Sequence, residues 1–161
     1  MTIYNLYIFD RHCSCIFHRQ WHGDLPEVTA SSTTAATRLS PLATNSHEDN
    51  VKLVFGSVFS LRNMTQKLTL DGQTNAFVSF QTSKYKLHYY EPLSGIKMVM
   101  LTDPQCTNLK QVLQQIYAGL YVEFVVKNPL SPLEYLEGEQ IDNEFFVAGL
   151  DLFVRGLPVF E

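Results

Sequence analysis

The stretch EDNVKLVFGSVFSLRNMTQKL, residues 48–68, decides how the rest of the chain is read. Ser46 or Asn45 can cap a helix there. Glu48 and Asp49 then fall in the first turn, where the helix dipole favours a carboxylate. At 100° per residue, Leu53, Met64, Leu68, Leu61, Val54, Val58, Val51, Phe55 and Phe59 form one continuous arc. It spans roughly 220°, against about 100° for a helix resting on a single core. Lys52, Asn63, Gly56, Lys67 and Ser60 fill the remaining polar strip. Such a helix needs covering on two sides, either by a second element of its own domain or by a partner protein. With Leu53, Leu61, Met64 and Leu68 taken as the sheet side, Phe55, Phe59 and Arg62 are the candidate partner interface; the opposite assignment stays open. The first assignment predicts that charged residues in place of Phe55 and Phe59 weaken assembly and leave the isolated domain folded.

At 161 residues the chain has the length of one domain, here read as 1–161, and enough residues to bury a real core. Apolar residues make up 45% and charged residues 17%, which describes a globular protein with little charge to spare for its surface. The formal charge is −4, with Lys and Arg scattered singly. Sequence-independent nucleic-acid binding needs a basic stripe, so that class is set aside. The N-terminal MTIYNLYIFDRH has no basic n-region and no small-residue cleavage site, and so is no signal peptide. No apolar run approaches the roughly 20 residues needed to cross a bilayer. Cys13, Cys15 and Cys106 are an odd number without framework spacing, which fits a reducing compartment. The glycosylation sequon Asn63-Met64-Thr65 lies inside the expected helix. The expected location is cytoplasmic.

Ile3 to Phe9 alternates as a strand, with Ile3, Asn5, Tyr7 and Phe9 on one face and Tyr4, Leu6 and Ile8 on the other. Both faces are largely apolar, as in a central strand. Asp10-Arg11-His12 turns the chain into a second strand, Cys15 to Trp21, giving an antiparallel hairpin. Gly23 to His47 is rich in Ser, Thr and Ala, holds Pro26 and Pro41, and shows neither period. It reads as a mobile surface loop inserted before the helix. Three short strands follow at Ala76–Thr82, Tyr85–Glu91 and Ile96–Thr102, turned by Ser83-Lys84 and by Pro92 to Gly95. Thr107 or Asn108 can cap a long helix from about Leu109 to Lys127, with Leu109, Val112, Leu113, Ile116, Tyr117, Leu120 and Phe124 along one face. A last helix, Glu144 to about Arg155, presents Phe145, Phe146, Ala148, Leu152 and Phe153; Gly156 and Pro158 stop it. The order β-β-α-β-β-β-α-α implies an α+β fold: one five-stranded antiparallel sheet with one helix on one face and two on the other.

Catalytic constellations are not legible. His12 and His18 lie roughly 20 Å apart on an extended strand and cannot share one ion. Cys13 and Cys15 point to one face, yet no second ligand pair exists, so no metal is expected. There is no phosphate loop, no nucleophile elbow and no calcium-loop spacing among Glu134, Glu137, Glu139, Asp142 and Glu144, which read as solvated loop charge. No catalytic residue and no cofactor is expected, and the chain is not an enzyme on its own.

Several uninterrupted runs carry a resemblance: Asn5 to Arg11 (NLYIFDR), Leu53 to Gly56 (LVFG), Phe59 to Arg62 (FSLR), Phe80 to Glu91 (FQTSKYKLHYYE), Ser94 to Met100 (SGIKMVM), Ile116-Tyr117, Tyr121 to Leu130 (YVEFVVKNPL) and Leu157-Pro158. In order, and over nearly the whole chain outside Gly23–His47 and about Glu134–Asn143, they resemble the longin-like, or sybindin-like, core subunits of the TRAPP vesicle-tethering complex. The match is best to the smallest of these subunits. The resemblance implies a longin-like (profilin-like) fold and the role of a non-catalytic subunit in a multisubunit guanine-nucleotide exchange factor. It also implies partners: a second longin-like subunit, a larger α/β subunit and, through the assembly, a Rab-family GTPase in endoplasmic reticulum-to-Golgi transport. Exchange would proceed by stabilising the nucleotide-free GTPase, which asks for no catalytic group in this chain. The chain would reach endoplasmic reticulum and Golgi membranes peripherally, through the complex. A stand-alone longin regulatory domain is the alternative, and predicts a heptad segment and a membrane anchor that the sequence to Glu161 does not show. A small ligand-binding protein on a similar sandwich is a third, and needs a polar-lined pocket.

Overall fold

The computed structural model describes residues 2–22, 47–68, 77–136 and 138–158. The Ser/Thr-rich stretch read as a mobile loop lies outside them up to residue 46, as do the caps at Asn45 or Ser46; its last residue, His47, instead begins the first helix. Five strands, β1 (Ile3–Phe9), β2 (Cys15–Gln20), β3 (Ser79–Gln81), β4 (Lys86–Tyr90) and β5 (Lys97–Thr102), pair antiparallel in the order β2-β1-β5-β4-β3. Helix α1 (His47–Leu68) covers one face, and α2 (Lys110–Gln115) with α3 (Glu144–Arg155) covers the other. The expected α+β layering is the observed one. β1 and β5 are central because both of their faces are apolar, and every residue of β5 is buried.

The face reading of β1 fails at its first two residues, Ile3 and Tyr4. Ile3 pairs with Thr102 but Asn5 with Leu101, so the register shifts by one residue between them. A bulge places two residues opposite one and reverses the alternation across it. Ile3 thereby joins Leu6 and Ile8 under α2 and α3, while Tyr4 packs with Tyr7 and Phe9 under α1.

The long helix expected over 109–127 is α-helical only to Gln115. From Ile116 to Val126 it winds as a π-helix, closing with the Lys127 N–H on the Val122 carbonyl at 2.9 Å. The wider turn changes what is buried: Ile116, Tyr121 and Val125 enter the core, whereas Tyr117, Leu120 and Phe124 sit half-buried at its margin. IYAGLYVEFVV is apolar all round, so its pattern does not distinguish the two windings. The N-cap position falls on Leu109, past both expected caps, Thr107 and Asn108; the Asn108 Oδ1 accepts from the Lys110 N–H at 3.0 Å.

α3 matches its expected span. The Asn143 side chain caps it, accepting from the Phe145 and Phe146 N–H groups, and its Nδ2 donates to the Phe124 carbonyl at 2.7 Å. Phe146, Leu150 and Val154 are the buried row. Phe145, Ala148 and Leu152, expected with Phe146 and Phe153, point outward instead. α3 lies close on the π-helix: a Cβ on Gly149 would meet Leu120 at 3.2 Å. Its other tie is Asp151, which accepts the Arg19 fork and the Trp21 Nε1–H at 2.9 Å. The acidic stretch before α3 runs alongside β2, with the Ile141 N–H on the Ile16 carbonyl at 2.8 Å and Glu134 paired with Arg11. Among the described residues no helix is long and apolar enough to cross a membrane.

Candidate functional site

α1 rests on the sheet by a narrow row. Val58 is fully buried; Val51, Val54 and Phe55 pack with it on Tyr7, Phe9, Leu87, Tyr89, Val99 and Leu101. This row lies diametrically opposite the polar strip of Lys52, Asn63, Gly56, Lys67 and Ser60, and both flanks of the apolar arc face away from the core. Leu53, Met64 and Leu68 are 63%, 51% and 74% exposed on one flank, and Phe59 is 47% exposed on the other. The assignment of Leu53, Met64 and Leu68 to the sheet side is therefore corrected; of that set only Leu61 is half-buried. The physical reason is geometric: a flat sheet touches only the centre of a 220°-wide arc, roughly 100° of it. The polar strip was the signal in the sequence, since the residue facing it across the helix, not an edge of the arc, meets the sheet.

The structure brings the three candidate interface residues to different situations. Phe55 lies half-buried with its ring 5.4 Å from that of Phe9, and so belongs to the domain's own packing. Phe59 stacks on Phe55 at 5.9 Å and presents its outer side to solvent. Arg62 is engaged within the chain. Its Nε and a terminal nitrogen donate to the two Glu91 oxygens at 2.7 and 3.1 Å, and the Tyr89 hydroxyl donates to the same carboxylate at 2.8 Å. Hydrogen bonding to Glu91 raises the Arg62 pKa. Burial pushes the Glu91 carboxyl up, but the bonds from Arg62 and Tyr89 outweigh it and leave its pKa below the ordinary value. Burial raises the Tyr89 hydroxyl further from ionisation. This three-residue network pins the C-terminal half of α1 to the end of β4. Glu91→Ala leaves two partly buried donors unmatched and should lower stability by about 1–3 kcal/mol, read by urea unfolding. An unchanged midpoint would show that the network contributes nothing.

Phe80, also exposed, sits on the three-residue edge strand β3. Cys13 lies in the β1–β2 turn at φ 72°, off the strand that Cys15 begins, so the reading of both on one strand face does not hold. Burial pushes the Cys15 thiol up to about 11, away from a reactive thiolate. Among the described residues no group of three or more His, Cys, Asp or Glu is placed to hold a metal. The arrangement is a patch of exposed apolar side chains on a helix whose own core is already satisfied.

Comparison with known proteins agrees with the architecture. Residues 3–157 match the Sybindin-like family. The fission yeast (Schizosaccharomyces pombe) transport protein particle subunit bet5 is 46% identical, over 99% of this chain and 100% of the relative. Trafficking protein particle complex subunit 1 of Rattus norvegicus is 42% identical, over 100% of this chain and 97% of its own length. The BET5 subunit of that complex in Saccharomyces cerevisiae is 37% identical, over 96% of each chain. With the five-stranded sheet, the three helices and a match from the first strand to beyond the last helix, this chain belongs to the Sybindin-like family.

Proposed function

We propose that this chain is a non-catalytic core subunit of the TRAPP complex, acting in vesicle traffic between endoplasmic reticulum and Golgi. α1 docks a second longin-like subunit through its outward flanks, and the joined surface engages a Rab-family GTPase. The observation that carries this reading is the residual apolar surface of α1, at Leu53, Met64 and Leu68 on one side and Phe59 on the other, after the sheet has covered its inner row. Of the three residues first singled out, Phe59 makes the contact, while Phe55 and Arg62 hold it in place from below. Similarity over the whole length to proteins named as subunits of that complex supports the assembly. Exchange then follows from preferential binding to the nucleotide-free GTPase by the assembled surface, with no group in this chain entering a covalent step. The complex meets membranes peripherally, and this subunit reaches them only through it.

The test is a double variant, Leu53→Ser with Met64→Ser, in tagged protein purified from its own cells. The isolated chain should unfold within about 0.5 kcal/mol of the parent, because both side chains are more than half exposed. Recovery of the companion longin-like subunit should fall at least about tenfold, since truncated contact residues at an interface centre commonly cost that much. Nucleotide release from a fluorescent GDP-loaded Rab should fall with it. Full recovery of every companion would overturn the assignment of α1. Charged residues at Phe55 are no longer a clean probe, because that ring packs on Phe9 and its loss damages the fold.

A further inference from the structure

A second apolar surface lies on the other side of the sheet. α3 exposes Phe145, Ala148 and Leu152 at i, i+3 and i+7, one face of a helix whose opposite row is fully buried. The segment leading into α3 exposes Leu130, Leu133 and Leu136, and Leu133 is 102% exposed. Two tethers fix that segment: Glu134 on Arg11, and the Ile141 N–H on the Ile16 carbonyl. Residues 130–145 carry five carboxylates, Glu134, Glu137, Glu139, Asp142 and Glu144, and no Lys or Arg. The leucines are thus interleaved with carboxylates in excess, although Glu134 is paired with Arg11 and the exposed Arg155 closes the α3 face.

We infer that this α3 surface docks a protein face that is apolar at its centre and rimmed by lysine and arginine. The inference rests on the reading of the chain as a complex subunit and adds a second, separate interface to it. Charge selects the occupant. An anionic lipid surface is repelled by these carboxylates, as is a nucleic-acid backbone. A second copy of this chain would bring the same carboxylates against them, which costs affinity through like-charge contact. A basic rim instead gives matching potentials around the apolar centre. α1 and α3 lie on opposite faces of the sheet, so both surfaces are accessible at once.

The test uses the tagged chain with the companions it brings from its own cells. A water-soluble carbodiimide joins carboxylates directly to lysine amines that touch them, and mass spectrometry locates the joints. Crosslinks from Glu139, Asp142 or Glu144 to lysines of one companion are expected. A Phe145→Ser, Leu152→Ser double variant should lose those crosslinks and at least about tenfold of that companion's recovery, while the companion lost in the α1 variant is retained. Both residues are exposed, so the variant keeps its core. Crosslinks only to a second copy of this chain, or full recovery of all companions by the α3 variant, would overturn the inference and leave the α1 reading standing. A parent chain that comes out alone sinks the subunit reading and this inference with it.

Discussion

Phe146→Ala is expected to destabilise the protein by about 3–5 kcal/mol, and Phe145→Ala by less than about 0.5 kcal/mol. The two phenylalanines are neighbours in sequence at the start of one helix, yet their surroundings are opposite. Phe146 is 0% exposed, with its ring edge-on to Phe17 at 5.1 Å and to Tyr121 at 6.4 Å. Removing it opens a cavity between β2, the π-helix and α3, three elements that cannot all close in. Phe145 is 76% exposed and leaves only water behind. Thermal unfolding of the two variants checks this: for a chain of this size, the Phe146 variant should melt roughly 10 °C lower. Similar melting temperatures would mean that the helix is rotated from the orientation described.

The second large effect is a loss of stability on acidification, centred on His88. This residue on β4 is completely buried and forms the join between the sheet and α2. Its Nδ1 accepts the Leu109 N–H at 3.3 Å, so the ring proton resides on Nε2, which donates to the Thr102 hydroxyl at 2.9 Å. A protonated ring has no acceptor for Leu109. Burial, and secondarily the charge of Lys86, lowers the His88 pKa from 6.5 to about 4. The unfolded chain therefore binds a proton below pH 6.5 that the folded chain refuses until about pH 4. Stability contributed by the neutral ring is complete above 6.5 and falls as pH drops through that window, by about 3 kcal/mol in total. Urea unfolding at several pH values should show this slope, and a His88→Gln variant should show it reduced by one proton. Equal slopes, or an imidazole that titrates near 6.5 by NMR, would refute the assignment.

Strand and helix positions were legible because the local signals were strong: alternation in Ile3–Phe9, the turn from Pro92 to Gly95, and sustained helical periodicity in residues 48–68. The candidate surface was half legible. Excess apolar area on α1 could be counted along the sequence, but which part of it the sheet covers depends on how a flat surface meets a cylinder. The sequence reading placed the sheet at one edge of the arc, where packing places it at the centre, on Val54 and Val58. The outward face of α3 was hidden by the same ambiguity, with Phe145 and Phe146 adjacent and chemically identical.

The sequence by itself determined the element order, the central character of β1, the layer on each side and the resemblance to a family of complex subunits, because each rests on local pattern or on runs of residues read directly. Only the tertiary structure decided the bulge that moves Ile3 to the other face of β1, the π winding of Ile116–Val126 and the row of α1 that is buried. Each of these is a rotation or a one-residue shift among side chains of like hydrophobicity. The hydrophobic effect scarcely distinguishes such alternatives, and close packing against particular neighbours settles them.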